Sequence, residues 1–178
     1  MTACVIPARG GSKRIPGKNI KDFFGLPVIV YSINTALQSG LFDIVAVSTD
    51  DDEIAGIAEK WGAEVLRRSP ENSTDDATDG DVILETLRCM NPDYLCYLYP
   101  VAPMVRISDL REARMLCMSG WFMNPVVAAK GEYYWIDVPV FTLDDYYHPF
   151  MLRECWDVDT VWDWERVRAA WIARGAWI

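Results

Sequence analysis

Short apolar runs alternate with helix-length amphipathic segments along most of this chain, and that alternation is its strongest constraint on fold. "ACVIPA" reads as a buried strand. "VIVYSINTALQSG" sets Ile29, Ile33, Ala36 and Leu37 on one helical face and stops at Gly40. "IVAVSTD" is a second strand, and "DDEIAGIAEKWG" an acid-started helix ending at Gly62. "AEVLR", "YLCYLYP" and "PVVAAK" supply three further strands. "DGDVILETLRCM" is a helix, and "ISDLREARMLCMSG" is another with Ser108 as the expected N-cap. Between 131 and 153 the pattern weakens. "TVWDWERVRAAWIARG" then closes the chain as a helix, with Thr160 and Asp163 at capping-box spacing. Trp164, Val167 and Trp171 share one face of it, as core or cover for the sheet or, on a second reading, as an oligomer contact. Strand–helix alternation implies right-handed crossovers: an α/β, three-layer fold with a mostly parallel sheet and helices on both faces. No repeat or linker interrupts residues 1–178, so a single domain is expected.

Ligands of such sheets bind beyond the carboxyl ends of the strands, and the loop after the first strand has unusual chemistry. "IPARGGSKRIPGKN" gathers Arg9, Lys13, Arg14 and Lys18 in a chain whose net charge is -9. So acidic a chain is a poor partner for nucleic acid polymers or an anionic membrane, and its cations matter where they cluster. The loop is not a Walker A sequence: Ser12 stands where the first glycine belongs, and Asn19 follows Lys18. The glycines are adjacent, so GxGxxG fails too. The ingredients of a polyphosphate cradle are nonetheless present. Gly10 and Gly11 let backbone N–H groups approach an anion. Arg9 offers a forked donor, Lys13 and Lys18 point charges, and Pro7 and Pro16 stiffen the ends. On chemistry alone, a phosphate cradle and a solvated basic loop both remain open.

Five cysteines without a CxxC pair, and one histidine, argue against a zinc site and suit a reducing cytosol. His148 reads as a loop residue. No secretory leader or membrane-length apolar run is found, so a cytoplasmic protein is expected.

The basic loop resembles the signature of the sugar-acid cytidylyltransferases, the CMP-sialic acid synthetases and especially their pseudaminic acid branch. "GLFDIVAVSTDDDEIAGIAEKWGAEVLRR", "STDDAT", "LYPVAP" and "WDVDTVWDWERV" follow in the family's order. The resemblance runs from residue 3 to about 120 and resumes at about 155. It implies the Rossmann-like fold of nucleotide-diphospho-sugar transferases. It also implies transfer of CMP from CTP to a nonulosonic acid, with release of pyrophosphate. By resemblance, Arg9, Ser12 and Lys18 hold the triphosphate and Asn19 contacts the nucleotide; Gly10, Gly11 and Lys13 join the nucleotide-binding set on the loop's own chemistry. Arg68, Ala77, Thr78 and Asp79 fall where the family holds cytosine and ribose; Asp79 replaces a small hydroxyl residue. Asp157 and Asp159 match the metal-binding pair, implying Mg²⁺, with Arg9 and Lys18 as catalytic partners.

The aspartates' own chemistry agrees with that role. Carboxylates two apart on an extended segment face one way, toward a triphosphate-bound cation, although Asp159 could instead cap the last helix. Tyr99 resembles the pseudaminic branch. "GEYYW", with Tyr133 and Tyr134, is similar to an acceptor-site stretch of that branch and reads equally as a buried aromatic strand. Asp50 could orient loop donors or cap the next helix. Relatives are longer: the segment at about 131–153 is short where they carry a dimerisation element and much of the acceptor site, so a homodimer is in question. The alternatives are a nucleotidyltransferase for another keto-sugar acid and a non-catalytic CTP-binding protein.

Overall fold

The computed structural model describes residues 1–119, 126–129, 132–138, 150–153 and 158–175. Asp157 and His148 lie outside them, as does most of the short segment at about 131–153. Five strands stand where the apolar runs predict them: β1 (Thr2–Pro7), β4 (Ile44–Thr49), β5 (Glu64–Arg67), β6 (Tyr94–Leu98) and β7 (Val126–Ala129). Two more, β8 (Tyr133–Asp137) and β9 (Phe150–Arg153), fall where the sequence pattern weakens, and β2 (Asp22–Phe23) with β3 (Leu26–Pro27) forms a small hairpin. The helices are α1 (Ile29–Ser39), α2 (Asp52–Lys60), α3 (Asp79–Met90), α4 (Ile107–Ser119) and α5 (Val161–Ala173). No helix among the described residues is long and apolar enough to cross a membrane.

The sheet order is β5-β4-β1-β6-β8-β7-β9. Its first four strands are mutually parallel, β8 runs antiparallel to both neighbours, and β7 pairs parallel with β9. β1 is apolar from Ala3 onward because both its faces are covered. Cys4 and Ile6 join a core with residues of α1, α2 and α4. Ala3 and Val5 pack on the other face with Val82 and Ile83 of α3. Three layers result.

Helix ends follow local chemistry. Gly40 terminates α1 at φ 65°, a conformation costly for a residue with a Cβ. Thr78 on α3 and Thr160 on α5 form capping boxes with Asp81 and Asp163. Ser108, expected as the α4 cap, lies inside the helix; the Arg106 N–H donates to Asp109 Oδ2 at 3.0 Å instead. Leu37, grouped with the buried face of α1, is 40% exposed at its edge.

Of the α5 tryptophans, Trp164 is core and Trp171 packs half-buried against it, while Trp162 is exposed; the two inward ones cover the hairpin and α1 rather than the sheet. Trp164 and Val167 are buried with Ile15, Phe23, Tyr31, Val101, Met104 and Val158. Phe23 lies edge-on to Trp164 and Trp171, at 5.7 and 5.5 Å between centroids. Tyr31 Oη donates to the Phe23 carbonyl at 2.6 Å. This second cluster fixes residues 158–160 beside the basic loop.

Trp164→Ala is expected to cost about 3–5 kcal/mol in urea unfolding; a loss below about 1 kcal/mol, the level of an ordinary surface change, would contradict this packing. Hydrogen bonds from the Thr160 hydroxyl and backbone hold the Asp163 carboxyl below the usual carboxylate range. Its contribution to stability is therefore present above the ordinary carboxylate pKa and fades as pH falls through the depressed one. Thr160→Ala should move the Asp163 carboxyl-carbon titration upward in an NMR pH series; an unmoved titration would remove the box as its cause.

Candidate active site

β1 sits between β4 and β6: the chain leaves β1 through α1 to β4 and α2 to β5, then crosses back through α3 to β6 on the other side of β1, so the strand order reverses there. A crevice opens at the carboxyl ends of strands at such a reversal, and the basic loop fills its floor. Ala8 N donates to the Ser48 carbonyl at 2.8 Å, continuing the β1–β4 ladder by one bond. Gly10 N donates to Asp50 Oδ1 at 3.0 Å. Of the two roles open to Asp50, the structure shows the loop-orienting one. Asp51 caps α2, its Oδ1 accepting from Glu53 and Ile54 N–H at 2.9 and 3.0 Å. A Cβ on Gly10 would stand 2.5 Å from Asp51 Oδ2, so glycine is required by the close approach of loop and cap. Farther on, buried Asn19 donates from Nδ2 to the Arg9 carbonyl at 2.9 Å, closing the loop on itself.

The opposite wall is residues 68–79. Burial lowers the pKa of the Arg68 guanidinium, which nearby tyrosine and carboxylate groups support. It donates to Ser48 Oγ at 3.2 Å and to the Ser48 carbonyl at 3.0 Å. Glu85 of α3 accepts from Ser69 N and Asn72 Nδ2, both at 2.9 Å. Burial opposes the charge on Glu85, yet these bonds hold its carboxyl below the usual value. Asp79, at the start of α3, accepts from the Tyr97 hydroxyl at 2.8 Å and from the Tyr99 hydroxyl. The Tyr99 ring in turn lies 6.2 Å from that of Tyr134.

The third side is the segment leading into α5. Lys18 Nζ donates to the Val158 carbonyl at 2.8 Å, and Arg14 Nη2 stands 2.9 Å from Asp159 Oδ1. Together the three sides enclose a cleft of 410 Å³. Of the residues singled out by sequence, Arg9, Ser12, Lys13, Lys18, Asn19, Arg68, Ala77, Asp79, Tyr99 and Asp159 line it. Gly10 and Gly11 shape the loop without lining the cleft. Thr78 spends its side chain on the α3 cap. Tyr133 is buried in the core on the α4 side, its hydroxyl 3.5 Å from the Asp109 carbonyl, and Tyr134 stands behind Tyr99. Arg14, which sequence reading counted among the loop cations without a site role, also lines the cleft, as do Asn72 and Asp75, which it passed over. The quoted "STDDAT" held the available signal, an acid opposite a cationic loop.

No cluster of three or more histidine, cysteine or acid side chains among the described residues could hold a metal unaided. Asp159 nevertheless presents a hard oxygen to a cleft lined by cations. That suits an ion which takes one or two carboxylates and completes its shell with phosphate oxygens and water.

Residues 3–115 match the cytidylyltransferase family. A pseudaminic acid cytidylyltransferase of Campylobacter jejuni is 46% identical over 116 residues, 62% of this chain and 50% of that one. An N-acylneuraminate cytidylyltransferase of Oncorhynchus mykiss is 41% identical over 139 residues, 76% of this chain and 32% of that one. The chain thus spans about half or less of the length of these relatives. Among solved structures, a CMP:2-keto-3-deoxy-manno-octonic acid synthetase complexed with CTP superposes with a TM-score of 0.75. It has 21% identity and covers 98% of this chain and 99% of its own. A Mycobacterium tuberculosis protein in complex with manganese superposes at 0.61 with 18% identity, over 95% of this chain and 98% of that one. At these identities the structures speak to the fold alone: a Rossmann-like, three-layer α/β sheet.

Gly10→Ala is expected to disturb the Asp51 cap and cost about 1 kcal/mol, the scale of a lost helix cap, while Gly11→Ala, with nothing within 4 Å of its added Cβ, stays near neutral. Equal thermal midpoints for the two variants would contradict the close approach.

Proposed function

The chain belongs to the cytidylyltransferase family, and from that premise we propose that it transfers CMP from CTP to a nonulosonic sugar acid of the sialic or pseudaminic type. The observation that carries this reading is convergence: Arg9, Ser12, Lys18 and Asn19 share one cleft with Asp159, which lies more than a hundred residues away in sequence. In the proposed reaction the anomeric hydroxyl oxygen of the acceptor attacks the α-phosphorus of CTP. The bond from that phosphorus to the bridging oxygen breaks, pyrophosphate departs, and the hydroxyl proton is lost to solvent.

Such a transfer is governed by positioning and charge neutralisation. Arg9 and Lys13 take the outer phosphates, and Lys18 reaches the phosphates from the Val158 side. Ser12 supplies a neutral donor, and Gly10 and Gly11 give the loop the turn that aims it at the nucleotide, with the Gly10 N–H held by Asp50. Asn19 fixes the Arg9 backbone and faces the nucleotide. Arg68, Ala77 and Asp79 form the base and ribose wall, and Thr78 holds it in place by capping α3. Tyr99, backed by Tyr134, faces the acceptor; Tyr133 supports that wall from within the core. Asp159 and Asp157 would hold Mg²⁺, which when bound neutralises phosphate charge and polarises the α-phosphorus.

The reading is supported by relatives that act on pseudaminic and N-acylneuraminic acids. It treats residues 1–178 as one nucleotidyltransferase domain.

Pyrophosphate release should require CTP, a divalent cation and a nonulosonic acid together. Asp159→Asn should abolish it while leaving the thermal midpoint nearly in place, since Thr160 and not Asp159 caps α5; unchanged turnover would leave Asp159 only its ion pair with Arg14. Arg9→Ala should weaken CTP binding by about 1.5–3 kcal/mol, the scale of a charged hydrogen bond, and unaltered affinity would remove Arg9 from the cradle.

A further inference from the structure

The cations of the basic loop already have partners within the chain. Arg9 Nη1 stands 2.9 Å from Asp75 Oδ1 and donates to the Thr74 carbonyl at 2.6 Å. Lys13 Nζ pairs with the other Asp75 oxygen. One carboxylate therefore bridges two cations on either side of Gly10 and Gly11, and it lines the same cleft as they do. The Lys13 ammonium, followed by Arg9, holds the Asp75 carboxyl below the usual range, so it is anionic at neutral pH.

We propose that Asp75 is an internal occupant of the phosphate cradle: its carboxylate takes the place of a ligand phosphate on Arg9 and Lys13, and polyphosphate binding proceeds by exchange with it. This rests on the phosphate-binding reading of the loop.

Three observations argue for exchange rather than a fixed structural bridge. The bridge is exposed: the side chains of Arg9, Lys13 and Asp75 are 31%, 79% and 45% accessible, and ion pairs of that kind are weak and easily broken. The strand of chain bearing Asp75 does not depend on it, because Glu85 fastens Ser69 and Asn72 on one side and the Thr78 capping box fastens the other. Among the described residues, finally, Arg9 and Lys13 are the only ion-pair partners of Asp75.

The bridge acts as a filter. A tethered carboxylate sits at high effective concentration, so an anion with few charges competes poorly against it. A triphosphate presents several charged oxygens at once and gains more contacts with the loop than the single carboxylate gives up. The acid thus selects for polyphosphates and keeps the cradle closed to small anions.

The test is calorimetric titration of inorganic tripolyphosphate, at low ionic strength, into the wild-type protein, Asp75→Asn and Asp76→Asn. Asp76 is an exposed neighbour outside the cleft, so its variant removes the same charge without the bridge. Asp75→Asn should bind tripolyphosphate about five-fold more tightly than Asp76→Asn, the scale of one or two surface ion pairs released, with thermal midpoints alike. Equal affinities in the two variants would overturn the exchange. So would weaker binding in Asp75→Asn, which would make the acid a positioner of Arg9. So would no binding in any of the three, which would remove the cradle as well. A parallel titration with CTP and other nucleoside triphosphates separates the two claims: the expected tripolyphosphate result without any preference for CTP would count against cytidylyl transfer and leave the exchange standing.

Discussion

The hydrogen bond from Gly10 N–H to Asp50, with the Ala8 bond to Ser48 beside it, is the contact on which the site depends. Together they tie the start of a cationic loop to the carboxyl end of the neighbouring strand. Without them the loop would carry its charges into solvent, where like charges repel and a flexible cradle must be ordered at each binding event. Anchored, it presents its donors from a fixed floor. Ser48 serves both walls: its carbonyl accepts from Ala8 and from the Arg68 guanidinium.

The electrostatics of the molecule are local rather than global. A net charge of -9 disfavours polyanions at a distance, while within the cleft cations outnumber acids and each acid has a defined place. Asp75 bridges two cations, Asp79 is held by two tyrosine hydroxyls, and Asp159 faces Arg14, while Asp50, beneath the loop, takes a backbone N–H. Acids that already balance the loop cations lower the cost of gathering like charges in the free protein.

Much of the architecture was legible because β1, β4, β5, β6 and β7 are runs of apolar residues between strong turn or cap signals. β8 was harder. Tyr133, Trp135 and Ile136 are buried, but an antiparallel strand inserted between parallel ones breaks the strand–helix rhythm that identified the others. The Trp164, Val167 and Trp171 face of α5 read correctly as core or cover; what it covers is a tertiary fact, set by a hairpin whose strands are two residues each. Ser108 was misjudged because α4 already begins at Ile107, and Asp109 reaches back to the Arg106 N–H ahead of that start. In the site, glycines and cations announced the loop, and Asp159 was found by resemblance. Asp50 and Asp51 could not be told apart by sequence, since adjacent acids at a strand end have equal claims to a helix cap. Asp75 carried no pattern of its own, because its role lies in partners some sixty residues away.

The central claim is that the basic loop and the segment entering α5 grip one nucleoside triphosphate through a divalent ion. A crystal structure of the protein with CTP and Mn²⁺, read by anomalous scattering, tests it most directly. The account requires the triphosphate against Arg9, Ser12 and Lys18, with the manganese peak at the Asp159 carboxylate. Nucleotide bound away from the loop, or a manganese peak remote from Asp159, would contradict it.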